Sequence, residues 1–300
     1  MGRRSQLFDP TQVARMGKLG FTARSVVEGF LSGVHRSPFK GFSLEFAEHR
    51  QYYPGDEIRK IDWRAFGKTD RYYIREYEDE TNLKAVFVVD ASGSMAYRGA
   101  GQLTKFAYAQ QVAASLAYLL LGQLDAVGLL THDTAPRCYL PPKATRKQLF
   151  LLLQELERTT PGRETSLGAV WDRIAGQYLK RRGLVILISD ALDELPSLGR
   201  SLRHLRHARH DVLLLQILTP EEVEFPFNHP TKFESLETSG ANLTVDARRY
   251  REEYLRMFAE HQRGLRKLAS ELRFDHVVLR TDQPVGRALG AYLAHRKQRR

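Results

Sequence analysis

The segment Val86-Phe87-Val88-Val89-Asp90-Ala91-Ser92-Gly93-Ser94-Met95 sets a carboxylate and two hydroxyls on one short loop. The apolar, mostly β-branched run before Asp90 reads as a strand covered on both faces, and Gly93 permits the sharp turn that aims both serines inward. Hard oxygens in the spacing D-x-S-x-S suit Mg²⁺, or Mn²⁺ in its place, better than zinc or copper. With one carboxylate among neutral hydroxyls, such an ion stays under-neutralised and electrophilic toward an acidic group from outside. The loop therefore points to metal-dependent adhesion more than to catalysis.

Further oxygens must come from elsewhere in the chain. Gly162-Arg163-Glu164-Thr165-Ser166-Leu167 places a hydroxyl, Thr165, in a loop at a helix start, and Leu184-Val185-Ile186-Leu187-Ile188 is a second buried strand running into Ser189-Asp190. Each of these residues taken alone could simply cap a helix. Their conjunction favours a metal site.

The elements that position them alternate from Lys84 onward. Strands are expected at Ala85–Asp90, Ala126–Thr131, Leu184–Ile188, Val212–Leu218 and Phe274–Leu279, with an edge strand over Arg137–Leu140 that Pro141-Pro142 ends. Helices are expected at Leu103–Leu121, Ala144–Arg158, Ser166–Leu179, Leu195–His207, Arg248–Leu272 and from Val285 to about Arg296. This alternation predicts an α/β fold, a doubly wound and mostly parallel sheet, whose ligands sit beyond the carboxyl ends of the strands. A small β excursion from Phe233 to Val245 falls in an insertion near 219–247. Residues 1–80 read as a helical lead, Ser5 to Leu31, followed by a small β-containing module, and residues 81–300 as the α/β domain.

Composition bounds the rest. A single cysteine, Cys138, excludes an intramolecular disulfide, fits a reducing compartment, and reads as a small buried side chain in a β segment. The adjacent Arg3 and Arg4 have no apolar stretch behind them, and Val112–Leu121 is far shorter than the roughly 20 residues that span a bilayer. A cytoplasmic protein is expected. The charge of +11, from 46 basic against 35 acidic residues, could serve an anionic partner, yet no nucleic-acid-binding motif accompanies it. Arg200, Arg203, Arg206 and Arg209 with His204, His207 and His210 form one basic helical stretch whose three-residue spacing drifts around a helix, so solvated charge is the simpler reading. A metal-dependent hydrolase using Asp90 as base or nucleophile is the competing enzyme class. Against it, G-x-S-x-G, G-x-x-x-x-G-K-[ST] and H-E-x-x-H are all missing. His132-Asp133 reads as a surface or capped pair after a strand.

In order, spacing and strand placement, Asp90, Ser92, Ser94, Thr165 and Asp190 together resemble the metal-ion-dependent adhesion site of von Willebrand factor type A domains, whose fold is the doubly wound sheet. By that resemblance Ser92, Ser94 and Thr165 offer hydroxyls directly or through water. Asp90 and Asp190 supply charge, partly through bound waters, and one coordination position is left for a partner's Glu or Asp.

A second resemblance covers the chain from about Gly33 onward. The stretch from Glu45 to Arg64, containing Tyr52-Tyr53-Pro54-Gly55-Asp56-Glu57-Ile58-Arg59-Lys60-Ile61-Asp62-Trp63, and the following Tyr72 to Leu83 resemble the signature of the bacterial domain-of-unknown-function family 58. Members carry a von Willebrand type A-like domain and are commonly encoded beside a MoxR-type AAA+ ATPase. The resemblance implies a non-enzymatic adaptor or co-chaperone whose metal site engages that ATPase or a client protein. Many relatives have membrane-spanning helices ahead of the signature, and here only a polar helical lead is expected. Within the signature, Pro54-Gly55-Asp56 is a turn, and Asp62, Arg64, Arg50 and Glu80 are expected to form an ion-pair network around Trp63.

Overall fold

The computed structural model describes residues 17–34, 49–51, 73–75, 83–162, 167–238 and 240–298. They fall into two compact units, residues 31–82 and the remainder. In the smaller unit, β1 (His49–Gln51) pairs antiparallel with β2 (Tyr73–Arg75). The Trp63 network expected there lies outside the described residues.

The larger unit includes α1 (Gly17–Val34) through Phe30, so this part of the helical lead belongs to the α/β body. Its sheet takes β3 (Lys84–Asp90), β4 (Ala126–His132), β5 (Pro136–Lys143), β6 (Leu184–Ser189), β7 (Asp211–Leu218) and β10 (Asp275–Arg280) in the order β10-β7-β6-β3-β4-β5. All neighbours run parallel except β4 and β5. The chain builds outward from β3 in one direction through β4 and β5, then returns to build through β6, β7 and β10 in the other. The reversal falls between β3 and β6, the place where such sheets open a crevice at their carboxyl ends.

Helices cover both faces. On one face α4 (Leu167–Gln177), α5 (Leu195–His207) and α7 (Ala247–Leu272) enclose a core of Val86, Val88, Trp171, Val185, Leu187, Val212 and Leu214. On the other, α2 (Lys105–Gly122) lies against β3, β4, β6 and β7, with α3 (Arg146–Arg158) and α8 (Gly286–Gln298) packed on it. The Thr104 hydroxyl caps α2 by accepting the Ala107 N–H at 3.0 Å. Because both faces are covered, β3, β4 and β6 read as unbroken apolar runs. Among the described residues no helix is long and apolar enough to cross a membrane.

Three expectations are corrected. β5 continues through Pro141-Pro142 because it is an edge strand. A register shift opposite Gly128 takes up the missing N–H groups, and a Cβ at Gly128 would lie 2.7 Å from the Leu140 carbonyl oxygen. The basic helix stops at His207, and His210 is buried with Nε2 2.9 Å from the Leu179 carbonyl. His132 is fully buried, not superficial, and its Nε2 accepts the Trp171 indole N–H at 3.2 Å. Cys138 is half-buried in β5, and burial pushes its thiol up to about 11, which leaves it protonated and inert at neutral pH.

Burial drives the His132 pKa down to about 4, against the opposing pull of Asp133. A histidine depressed in the folded state contributes stability that is present above its unfolded pKa of roughly 6.5 and is lost as pH falls toward 4. Lowering the pH from 7 to 5 is therefore expected to cost about 2 kcal/mol through this residue. Urea unfolding at both pH values checks this. His132→Gln, which keeps an acceptor for Trp171 and cannot titrate, should lose that much less on acidification than the wild type.

Candidate functional site

β3 delivers Asp90 and β6 delivers Ser189 and Asp190 to the crevice. Asp90 is fully buried; its Oδ1 accepts the Ser92 N–H at 2.8 Å and its Oδ2 the Ser189 hydroxyl at 2.6 Å. The chain then enters a single helical turn, Gly93–Ala96, in which Ser92 makes no side-chain cap, so its hydroxyl is not used to start the turn. Ser92 Oγ and Ser94 Oγ lie 3.1 Å apart, and Ser94 Oγ donates to Asp190 Oδ2 at 2.8 Å. The structure thus brings Asp90, Ser92, Ser94 and Asp190 together. Thr165 lies outside the described residues. The described chain leading toward it comes close, since Gly162 N–H donates to the Ala91 carbonyl at 2.6 Å.

The centre of the cluster is a residue the sequence reading passed over. Lys105, at the start of α2 and 1 % exposed, donates from Nζ to Asp190 Oδ2 at 2.7 Å and to Glu222 Oε1 at 2.6 Å. Burial alone would lower its pKa, but the two carboxylates outweigh burial and hold it above its ordinary value as an ammonium. Glu222 opens α6 (Pro220–Glu224) in a capping box with Thr219, whose N–H donates to Glu222 Oε2 at 2.8 Å. One carboxylate therefore caps a helix and pairs a buried lysine. Beyond Asp190 the chain bends at Ala191, which is buried with φ 49° and is held by its N–H to Ser189 Oγ at 3.0 Å and by His261 Nε2 at its carbonyl, 2.8 Å away. A non-glycine residue in the left-handed region beside a buried carboxylate is strain that this surrounding network maintains.

The two aspartates are electrostatically unequal. Burial pushes the Asp190 carboxyl up, yet Lys105 and its hydrogen bonds outweigh this and hold it below the usual carboxylate range. Asp90 is pushed up to about 7 by burial and by the charge of Asp190, against the hydrogen bonds from Ser189 and Ser92. Among the described residues, Asp90 is thus a buried carboxyl with no counter-charge of its own. Hard oxygens of Asp90, Ser92 and Ser94 around that position could hold a divalent cation, with Asp190, already bonded to Lys105 and Ser94, suited to act through water.

The insertion reaches the same loop. Strands β8 (Pro230–Glu234) and β9 (Asn242–Asp246) form an antiparallel hairpin whose connection lays the Leu236 carbonyl against Gly93, so closely that a Cβ there would collide with it. Glu237 follows. It is half-buried between exposed Leu236 and Thr238, beside the N–H and hydroxyl of Ser94; burial, Asp190 and Asp90 raise its pKa while Ser94 opposes them.

Lys105 was discoverable in the sequence. It shares a helical face with Ala109, Val112 and Leu116, all fully buried, so its ammonium had to find carboxylates inside. The capping box T-x-x-E likewise marked Glu222, though not its ion pair. No local pattern marks Glu237, whose approach depends on how the hairpin folds back.

The fold and the cluster define a doubly wound α/β protein with an oxygen-rich site at the switch point of its sheet. The chain belongs to the family described as Protein of unknown function DUF58, whose model matches residues 48–264. It is 29 % identical over 226 residues to Uncharacterized protein Rv1480 of Mycobacterium tuberculosis, covering 74 % of this chain and 70 % of that protein, and equally to Uncharacterized protein Mb1516 of Mycobacterium bovis. Similar solved structures include the conserved hypothetical protein BatB of Bacteroides thetaiotaomicron, at 14 % identity and a TM-score of 0.47 over 72 % of this chain and 99 % of that one. A von Willebrand factor type A protein of Catenulispora acidiphila is similar at 14 % identity and a TM-score of 0.37 over 71 % and 42 %.

Removing the lysine leaves two carboxylates buried against each other. Lys105→Met is expected to destabilise the fold by about 3–5 kcal/mol, the usual cost of breaking one side of a buried ion pair. Chemical denaturation measures the loss, and adding Asp190→Asn and Glu222→Gln to the same chain should recover most of it.

Proposed function

We propose that this chain is a non-enzymatic adaptor that binds proteins through a metal ion. Asp90, Ser92 and Ser94, with Thr165 and the more remote Asp190, hold Mg²⁺, or Mn²⁺ in its place, and the ion accepts an acidic side chain from a partner. The observation that carries this reading is Asp90 itself: a fully buried carboxyl at the end of a central strand, ringed by hydroxyls and an amide, while the nearby ammonium of Lys105 is directed to Asp190 and Glu222. When bound, the ion would supply the positive charge that attracts the partner's carboxylate. The chain's residues orient it. Ser92 and Ser94 offer neutral oxygens, and β3 and β6 fix the spacing of the carboxylates.

The geometry also speaks against the hydrolase reading. Both oxygens of Asp90 already accept hydrogen bonds, and the ring of the nearest histidine on the neighbouring strand, His132, is turned to Trp171. No described histidine is bonded to the Ser92 or Ser94 hydroxyl. Membership of the DUF58 family, with its resemblance-based association with MoxR-type AAA+ ATPases, makes such an ATPase or one of its clients the proposed partner.

Calorimetric titration of this protein with a MoxR-type AAA+ ATPase, in Mg²⁺ and then in EDTA, tests the reading. Binding is expected in Mg²⁺ only, and Asp90→Asn, which keeps the side-chain shape, should abolish it. Binding that survives both EDTA and Asp90→Asn sinks the metal-mediated mechanism. The ion and the proton compete for Asp90. Because its folded pKa is raised, the stability it contributes to the metal-free protein is present below the unfolded value and is lost as pH rises through about 7. Mg²⁺ should therefore raise the melting temperature more at pH 8 than at pH 6, and Asp90→Asn should remove that difference.

A further inference from the structure

The larger unit holds a cavity of about 480 Å³ at the amino edge of its sheet, opposite the edge that carries Asp90 and Asp190. It is lined by the start of β3 at Lys84 and Val86, by the end of β5 at Tyr139, Pro141 and Pro142, and by the chain that leaves α4 and enters β6. Lys84 and Asp90 begin and end one strand, so roughly 20 Å separates this cavity from the acidic cluster. The segment between α4 and β6 is pinned along its length. The Tyr139 hydroxyl donates to the Tyr178 carbonyl at 3.3 Å, His210 Nε2 lies 2.9 Å from the Leu179 carbonyl, and the Asp211 N–H donates to the Gly183 carbonyl at 3.1 Å. A Cβ at Gly183 would collide with the Lys84 carbonyl, so glycine is what lets the segment settle on β3. Carbonyls just past the end of α4 are thereby taken up by hydrogen bonds instead of being turned on an anion.

The chemistry of the lining is one-sided. Lys84, Lys180 and Arg181 bring three exposed cations, and among the described residues none of them is paired with a carboxylate and no Asp or Glu lines the cavity. Beside them the rings of Tyr139 and Tyr178 meet edge to face at 5.1 Å, and Pro141 and Pro142 extend the apolar surface. Cations next to a ring platform fit a molecule that is anionic at one end and planar at the other. We propose that this cavity is a nucleotide-binding site, in which Lys84, Lys180 and Arg181 meet the phosphates, the base lies against the tyrosine and proline surface, and the Gln177 amide is available to the edge of the base. An acidic peptide would satisfy the cations too, but the volume is that of a pocket for one compact ligand, and the rings would be left without a planar partner. With no acidic residue among the described lining to hold Mg²⁺, and no G-x-x-x-x-G-K-[ST] loop in the chain, the site binds the nucleotide and does not transfer its phosphate. It owes nothing to the cation position at the opposite edge.

The test titrates the full chain with ADP as the probe, and with adenosine and pyrophosphate as its two halves, by calorimetry in EDTA so that no metal ion bridges ligand and protein. One ADP is expected to bind per chain, with each half binding roughly tenfold or more weakly than the whole, because each engages only the rings or only the cations. Lys180→Gln combined with Arg181→Gln, both at exposed positions where the fold tolerates the change, should weaken ADP by roughly tenfold or more and leave adenosine unaffected. In nuclear magnetic resonance spectra the protons of the adenine ring should show contacts to the ring protons of Tyr139 or Tyr178. Absence of binding at millimolar ADP, an unchanged affinity in the double variant, or pyrophosphate binding as tightly as ADP would each overturn the proposal. So would a hexaglutamate peptide that binds where ADP does not and loses affinity in the double variant, a result that hands the cavity to an acidic protein partner.

Discussion

The buried ammonium of Lys105 is the interaction on which the rest of the site depends. It is placed by a long helix lying against the sheet, and its two carboxylates come from the end of β6 and from the first turn of α6. An isolated buried charge of this kind is among the most costly features a fold can carry, so all three elements must close together or none does. The capping box at Thr219, the Tyr254 hydroxyl on the Glu222 carbonyl and the ring cluster behind it then fix the base of the inserted hairpin to the same point. A structural ion pair in the core therefore decides where a surface arm begins.

The framework of the sheet was legible in the sequence because its strands are buried on both faces. An unbroken apolar run such as Leu184 to Ile188 has few ways to be satisfied, and the alternation with amphipathic helices leaves one architecture. The same logic located Asp90 and Asp190, since a polar residue that ends such a run emerges at the carboxyl edge. The departures have a common physical origin in tertiary context. Prolines end a central strand, yet at the edge of the sheet they are tolerated, and β5 runs through them. His132 has no apolar signature of its own; it is a core residue because it ends a strand buried along its whole length, where the Trp171 indole N–H meets its ring. The hairpin connection is the extreme case: the Leu236 carbonyl is seated on Gly93, far away in sequence, and nothing in the neighbouring residues announces that contact.

The hairpin is packed at its root and exposed beyond it. Stacked rings at its root bury apolar area and resist displacement, whereas the strands beyond them expose most of their side chains and are held chiefly by backbone hydrogen bonds to each other.

The inequality of the two aspartates explains why a cation in the proposed site would seek a partner. If Asp90 and Asp190 were both free to neutralise it, two carboxylates would satisfy a divalent ion and remove its attraction for a third. Lys105 prevents this by holding Asp190 in an ion pair, so the second negative charge is largely spent before a metal arrives. What remains for the ion is Asp90, whose carboxyl is disfavoured as an anion by its burial and by its neighbour, and the uncharged oxygens of the serines. An ion so held retains roughly half its charge unbalanced, and the nearest group able to meet that demand is another carboxylate. A lysine buried beside the proposed site would thereby shape adhesion without touching the partner.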